Sequence, residues 1–364
     1  MSMNTAVLHG KRDGYSIFRH ILPAFIFTVL VVTSHSLPLY AETSTLGVLK
    51  TATLKQSDEY IHGLIFFQGS LWASTRTAPC RVLRIDPETL GYERIVLDDG
   101  FNEGEDLAAA EGLIWVILYG IPSRIVRIYP ETLYWETALT FSPEEFTRGG
   151  SLEYAFGYLW AGGGDGKIVR VDPRTLEYEV FDFSSALGRL QVHALTSGGG
   201  YLWGSSPIFR ESETRVDESI ILRIDPHNPK GYAAVFLQDA PISDDMVYTD
   251  ETLFAGSESS MSSLFRINSD LTYDRLNNVE SGYLGCTAQH DTIWGALSGT
   301  PGKLVRHSAT TYRCDTYLLP EGFNDANELA LDSLNSAIFV TTWGSPARIL
   351  KIRIPHPVVS AGAF

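Results

Sequence analysis

The chain has 364 residues, of which 44% are hydrophobic, 12% aromatic and 20% charged, and its formal net charge is −15. That much apolar material can bury a large core. The acidic balance and the absence of any Lys/Arg run argue against a nucleic-acid partner, since phosphate binding needs clustered cations. Such a surface suits cations or a basic partner, and it also serves solubility alone.

In chain order, the first element is a leader. Lys11, Arg12 and Arg19 precede the apolar run "ILPAFIFTVLVV" from Ile21 to Val32. A basic start and an apolar core of about a dozen residues predict a secretory signal over residues 1–41, with Ala41 or Ser36 as its last residue. The run is short of the roughly 20 residues of a membrane-spanning helix, so an uncleaved N-terminal anchor is the alternative. The expectation is a secreted or periplasmic protein, monomeric and not inserted in the membrane once the leader is removed.

The next element is an isolated strand, "LGVLKTATL", from Leu46 to Leu54. After it the chain repeats itself. An aliphatic–aromatic pair recurs as Leu71-Trp72, Ile114-Trp115, Leu159-Trp160, Leu202-Trp203, Leu253-Phe254, Ile293-Trp294 and Ile338-Phe339. A basic residue follows each pair: Arg84, Arg127, Arg170, Arg223, Arg266, Arg306 and Lys351. Both markers count seven units of roughly 40–50 residues. The fourth is longer and carries the insertion "PIFRESETRVDES".

Within a unit, short apolar or alternating blocks are separated by Gly, Pro, Ser and Asp, which predicts four strands. In the second unit these are "DLAAAE", "LIWVILY", "RIVRIYP" and "YWETALT". The sequence "DPETL" is turn chemistry: Pro presets φ and Asp caps the turn into the last strand. Seven such units predict an all-β, seven-bladed β-propeller over residues 46–355. The seventh unit ends after its third strand, "ARILKIRIP", so the isolated N-terminal strand is expected to complete that blade and close the ring.

In a propeller, residues just before each innermost strand line the mouth of the central channel. Two of these entrances are near-copies, "DGFNEGEDLA" (Asp99 to Ala108) and "EGFNDANELA" (Glu321 to Ala330). They pair Glu105 with Asn327 and Asp106 with Glu328. The unit between them contributes His62, with Asp58 and Glu59 upstream. Blade 5 adds Asp244 and Asp245, and blade 4 adds Gln191 and His193. Two readings are open for these groups. Glu105, Asp106, Asn327 and Glu328 could ligate a hard cation such as calcium or magnesium, or the acids could cap turns and face water. Tyr119 and Trp343, in loops between second and third strands, are candidates to touch a ligand. The tryptophans at the repeated blade position are core. The recurring Pro-x-Arg/Lys of Pro79/Arg81, Pro122/Arg124, Pro301/Lys303 and Pro346/Arg348 reads either as a basic rim or as loop structure.

Cys80, Cys286 and Cys314 are an odd number. Cys286 falls on an innermost and Cys314 on an outermost strand, too far apart for a disulfide. No pair has zinc-ligand spacing. All three read as structural.

The stretches "HGLIFFQGSLWAS" (His62 to Ser74) and "HALTSGGGYLWGS" (His193 to Ser205), each followed by a strand of the "RIDP" type, resemble the seven-bladed streptogramin lyase-like and YVTN-type propellers. The resemblance implies a propeller, and for the lyases a mouth where a His base, acidic partners and magnesium act by proton abstraction. His62 and His193 take that family's His-Gly/Ala-aliphatic position. The chain has no Glu-x-His pair of the kind that active site uses. The leading expectation is therefore a binding or interaction scaffold holding a small molecule, cation or protein at the mouth. A metal-dependent lyase or hydrolase is the alternative.

Overall fold

The structure is a computed structural model that describes residues 47–184, 191–208, 218–238, 242–257, 262–279, 283–311 and 313–354. The expected leader, residues 1–41, lies outside these. Among the described residues, seven sheets of four antiparallel strands form a closed series, each innermost strand packed against those of the two neighbouring blades. This is the seven-bladed propeller that the repeats predict.

The repeat explains each blade layer. The second strand is buried on both faces because it lies between two neighbouring sheets; Ser70–Thr75 and Ala337–Thr342 are buried at every position. In blades 2, 3 and 4 its tryptophan also closes the hairpin to the innermost strand. Trp115 Nε1 donates to Ala110 O, Trp160 Nε1 to Ala155 O and Trp203 Nε1 to Gly198 O, each at 3.1 Å. Third strands such as Arg124–Ile128 bury three aliphatics, Ile125, Val126 and Ile128, alongside two partly exposed arginines.

The basic residue of the third strand sits near that aromatic side chain, Arg170 at 5.6 Å from the Trp160 ring centroid and Lys351 at 5.7 Å from that of Phe339. It also reaches the next blade: Arg84 donates to Pro130 O, Arg170 to Pro226 O, and Lys351 to Glu88 Oε1. The repeated motif is thus a clamp between blades. In the "DPETL" turn, Asp86 Oδ1 accepts from the Glu88 and Thr89 amides at 2.9 and 2.6 Å. Leu90 then takes a left-handed φ of 57°, and Leu133 does the same at 57°. The turn uses leucine there because its side chain plugs the core: Leu90 is buried.

The N-terminal strand Gly47–Thr53 pairs antiparallel with Arg348–Arg353, so the seventh blade is assembled from both ends of the propeller, as the missing fourth strand predicts. The fourth blade absorbs part of its insertion by lengthening its strands, to Tyr201–Ile208 and Glu218–Asp225. The remainder, residues 209–217, is outside the described residues. Cys286 lies on an innermost strand and Cys314 on an outermost one, and all three cysteines are free thiols. Burial pushes the Cys80 thiol up to about 12 and the Cys314 thiol up to about 11. Among the described residues no helix is long and apolar enough to cross a membrane.

Candidate functional site

The innermost strands converge on a channel cavity of about 330 Å³. Its walls follow from one register. Two residues before the position facing each blade's Trp or Phe, blades 2, 5 and 7 place Asp106, Asp245 and Glu328. At the same level blades 1, 3, 4 and 6 place Gly63, Ser151, Ala194 and Gly285. The small residues let the next strand approach. A Cβ on Gly63 would lie 3.0 Å from Asp106 Cα, and one on Gly285 would lie 2.3 Å from Asn327 O.

The aspartates fasten the following blade. Asp106 accepts from the Leu107 amide at 2.7 Å and from the Leu152 amide of blade 3 at 2.8 Å. Asp245 repeats this with the Met246 amide at 2.8 Å and the Cys286 amide of blade 6 at 2.7 Å. Asp244 precedes it on the same strand, Ile242–Thr249.

Just above this level, at the strand starts, the ladder slips. Register breaks between Ile61 and Gly63, Gly104 and Asp106, and Ala326 and Leu329 leave His62, Glu105 and Asn327 at bulges on blades 1, 2 and 7. Bulges re-aim side chains, and here they turn neighbouring groups toward one another. His62 Nδ1 is 3.4 Å from Glu105 Oε2, and Arg76 Nε is 3.0 Å from Glu105 Oε1. The Arg76 guanidinium lies 5.6 Å from the Tyr119 ring centroid. On the other side, His62 meets Trp343 edge-on at 5.3 Å, and Trp343 packs against Tyr60 at 5.3 Å. The chain of contacts Tyr60–Trp343–His62–Glu105–Arg76–Tyr119 spans one sector of the mouth. Tyr119, singled out in the sequence, ends it on one side, and Trp343, also singled out, lies next to Tyr60 at the other.

Not every candidate joins this sector. The Asn327 amide nitrogen donates to Ile61 O at 2.7 Å, tying blade 7 to blade 1. Among the described residues no three His, Cys, Asp or Glu side chains gather to hold a metal ion. Both Asp106 oxygens accept from backbone amides, and Asn327 donates through its amide nitrogen. Asp58 is wholly buried and holds blade 1 together, accepting from Tyr92 Oη at 2.9 Å and Arg94 Nη1 at 3.1 Å. The Pro-x-Arg residues hold entrance loops. Arg124 donates to Gly100 O at 2.8 Å with Phe101 beneath it, and Arg348 donates to Gly322 O over Phe323. His193 lines the cavity on blade 4. Gln191 Nε2 is directed at Arg148 O, at 3.4 Å.

Three site residues escape sequence reasoning: Arg76, Tyr60 and Glu153. Glu153 faces Trp160 in the register, where other blades carry Ile65, Ala108 or Thr196. A charged residue at an otherwise apolar or small repeat position is the signal that marks it. Its Oε1 accepts from Ser197 Oγ at 2.7 Å.

Loss of surrounding water pushes the Glu153 carboxyl up from 4.5 to about 7, with the Asp106 charge adding to it. Burial likewise raises Asp106 from 3.8 to about 6, outweighing its two amide donors. Both acids are ionised in the unfolded chain above about pH 4.5 and hold protons in the folded one up to pH 6–7. The folded state therefore binds more protons in that window, and the stability tied to these groups falls as pH rises through it. Surface acids such as Asp86, Asp182 and the partly exposed Glu136 are shifted down by hydrogen bonds and act oppositely, losing stability only in stronger acid. Thermal melts should therefore show a higher Tm near pH 5.5 than at pH 8. Glu153→Gln should raise stability at pH 8 by about 1–3 kcal/mol and leave pH 5 unchanged. Equal Tm values for both proteins at both pH values would contradict this.

Comparison with known proteins bears on the fold. No family model and no curated protein matches the chain, so nothing places it in the streptogramin lyase-like or YVTN-type families. Among solved structures, it is similar to a chain of the "Crystal Structure of Mitotic Checkpoint Complex", with a TM-score of 0.65 and 11% identity over 88% of this chain and 98% of that one. It is also similar to the "Crystal structure of RRP9 WD40 repeats", with a TM-score of 0.63 and 11% identity over 86% of this chain and all of that one. At such identities the likeness is one of architecture.

Proposed function

We propose that this protein is an exported propeller scaffold that binds a ligand or protein partner through the mouth of its central channel. One observation carries the reading: the continuous contacts from Tyr60 through Trp343, His62, Glu105 and Arg76 to Tyr119, set at the rim of the channel cavity. Aromatic faces beside half-buried polar groups are the usual composition of a recognition surface. The propeller neighbours, one with WD40 repeats and one from a complex, agree with a scaffold role.

The test is a thermal-shift screen of small molecules on wild type and Trp343→Ala. A compound that raises the Tm of wild type but not of the variant supports the mouth as the binding surface. Stabilisation that survives in Trp343→Ala would move the site elsewhere.

The His62–Glu105 contact also favours the second reading, a metal-dependent lyase or hydrolase, because a carboxylate beside the imidazole would orient it as a general base. Cyclic depsipeptide opening, assayed with and without magnesium, decides it. No turnover in either case removes it.

A further inference from the structure

We propose that the channel mouth takes an organic cation, an alkylammonium or guanidinium group, held between the aromatic rim and the carboxylates of the wall. This deepens the reading of the mouth as the binding surface and rests on it.

The first ground is charge. The cavity is lined by five carboxylates, those of Glu105, Asp106, Glu153, Asp245 and Glu328, and its basic side chains among the described residues are the imidazoles of His62 and His193. A chain with a formal net charge of −15 adds a long-range field of the same sign.

The second ground is that the rim already holds such a group. The Arg76 side chain, 38% exposed, is paired with the buried Glu105 carboxylate and set over the Tyr119 ring. Carboxylate plus aromatic face is how proteins recognise organic cations. Across His62, Tyr60 and Trp343 provide two more rings.

The third ground is the form of the acids. Asp106 and Asp245 each commit both oxygens to backbone amides of two blades. They supply a fixed negative field rather than an open set of oxygen ligands. An ammonium or guanidinium group needs that field, some acceptors and ring faces, whereas a hard metal ion needs a closed shell. The volume of about 330 Å³ lies at the small end for ligand pockets. It suits a compact cation or a single basic side chain of a partner. Glu153 projects from blade 3 into the same cavity, and the rise in its pKa reflects a carboxylate that water no longer neutralises.

Calorimetric titration of the folded protein tests this with three probes: 1,4-diaminobutane, an arginine-containing tripeptide amide, and 1-butanol as the neutral control. Either cation should bind at pH 8 and the alcohol should not. Binding by the diamine assigns a free small cation, and binding by the peptide alone assigns a side chain of a partner protein. Affinity should drop at least tenfold in Glu153→Gln, a substitution that keeps the Ser197 hydrogen bond and relieves a desolvated charge. It should also weaken at pH 5.5, where Glu153 and Asp106 take up protons. No binding of either cation at millimolar concentration, or equal binding in Glu153→Gln, overturns the proposal. A neutral or anionic compound whose binding is lost in Trp343→Ala would also overturn it, while leaving the mouth as the binding surface.

Discussion

Removal of the closing strand, residues 47–53, should lower stability by roughly 3–6 kcal/mol, a fall in Tm on the order of 5–15 °C. The strand's side chains are almost all exposed, so little apolar burial is lost with them. What is lost is the ladder to Arg348–Arg353, in which Gly47 to Thr53 face Arg353 to Arg348 with one register slip. The truncated protein would leave that strand as an open edge, available to proteases and to other chains. The Lys50 ammonium, which donates to Glu88 O of blade 1 at 2.9 Å, would go as well. A truncated chain that melts within about 1–2 °C of the full one would show that the ring holds without its latch. Limited proteolysis gives a second readout, with new cleavage expected around residues 348–353.

Trp160→Ala should cost about 3–5 kcal/mol, the range for deleting a large buried aromatic side chain. The indole is fully buried, sits in the core cluster between blades 3 and 4, and stacks near Phe181 at 6.2 Å. Its Nε1 satisfies Ala155 O, which the alanine variant would leave without that donor. Arg170 loses the face it lies over, at 5.6 Å, while keeping its reach to Pro226 O. Trp160→Phe should recover about half of the loss, because it refills most of the volume but not the hydrogen bond. Chemical denaturation of the three proteins reads this order directly. A loss below about 1 kcal/mol for the alanine variant would mean that the repeated tryptophan is not what joins the blades.

The repeat made the fold legible because a blade is specified by local pattern. Period-2 strands, Asp-Pro turns and one tryptophan per unit recur in sequence, and each copy meets the same neighbours in space. The mouth was legible only in part. Glu105 was visible in a blade entrance nearly copied by blade 7, His62 at a strand start, and Trp343 and Tyr119 in loops away from the repeated tryptophan position. Arg76 and Tyr60 gave no such signal, since an arginine or tyrosine beside a strand is common, and only the closing of blades 7, 1 and 2 around one point makes them partners. Asn327 and Asp58 went the other way. Their residue types suit ligand contact, but burial turns both to backbone or side-chain partners within the wall.

By itself, then, the sequence determined seven four-stranded units, the strand that completes the last of them, and the channel acids of blades 2, 5 and 7. Those features depend on contacts between residues close in the chain or on a count of repeats. The tertiary structure decided which of the channel acids clamp blades and which meet other side chains at the mouth. That choice is made by register across blade boundaries: a bulge of one residue turns Glu105 to Arg76 and His62, while the next residue, Asp106, bridges to the Leu152 amide. Side chains adjacent in sequence point to different blades, and only the closed ring fixes what each one meets.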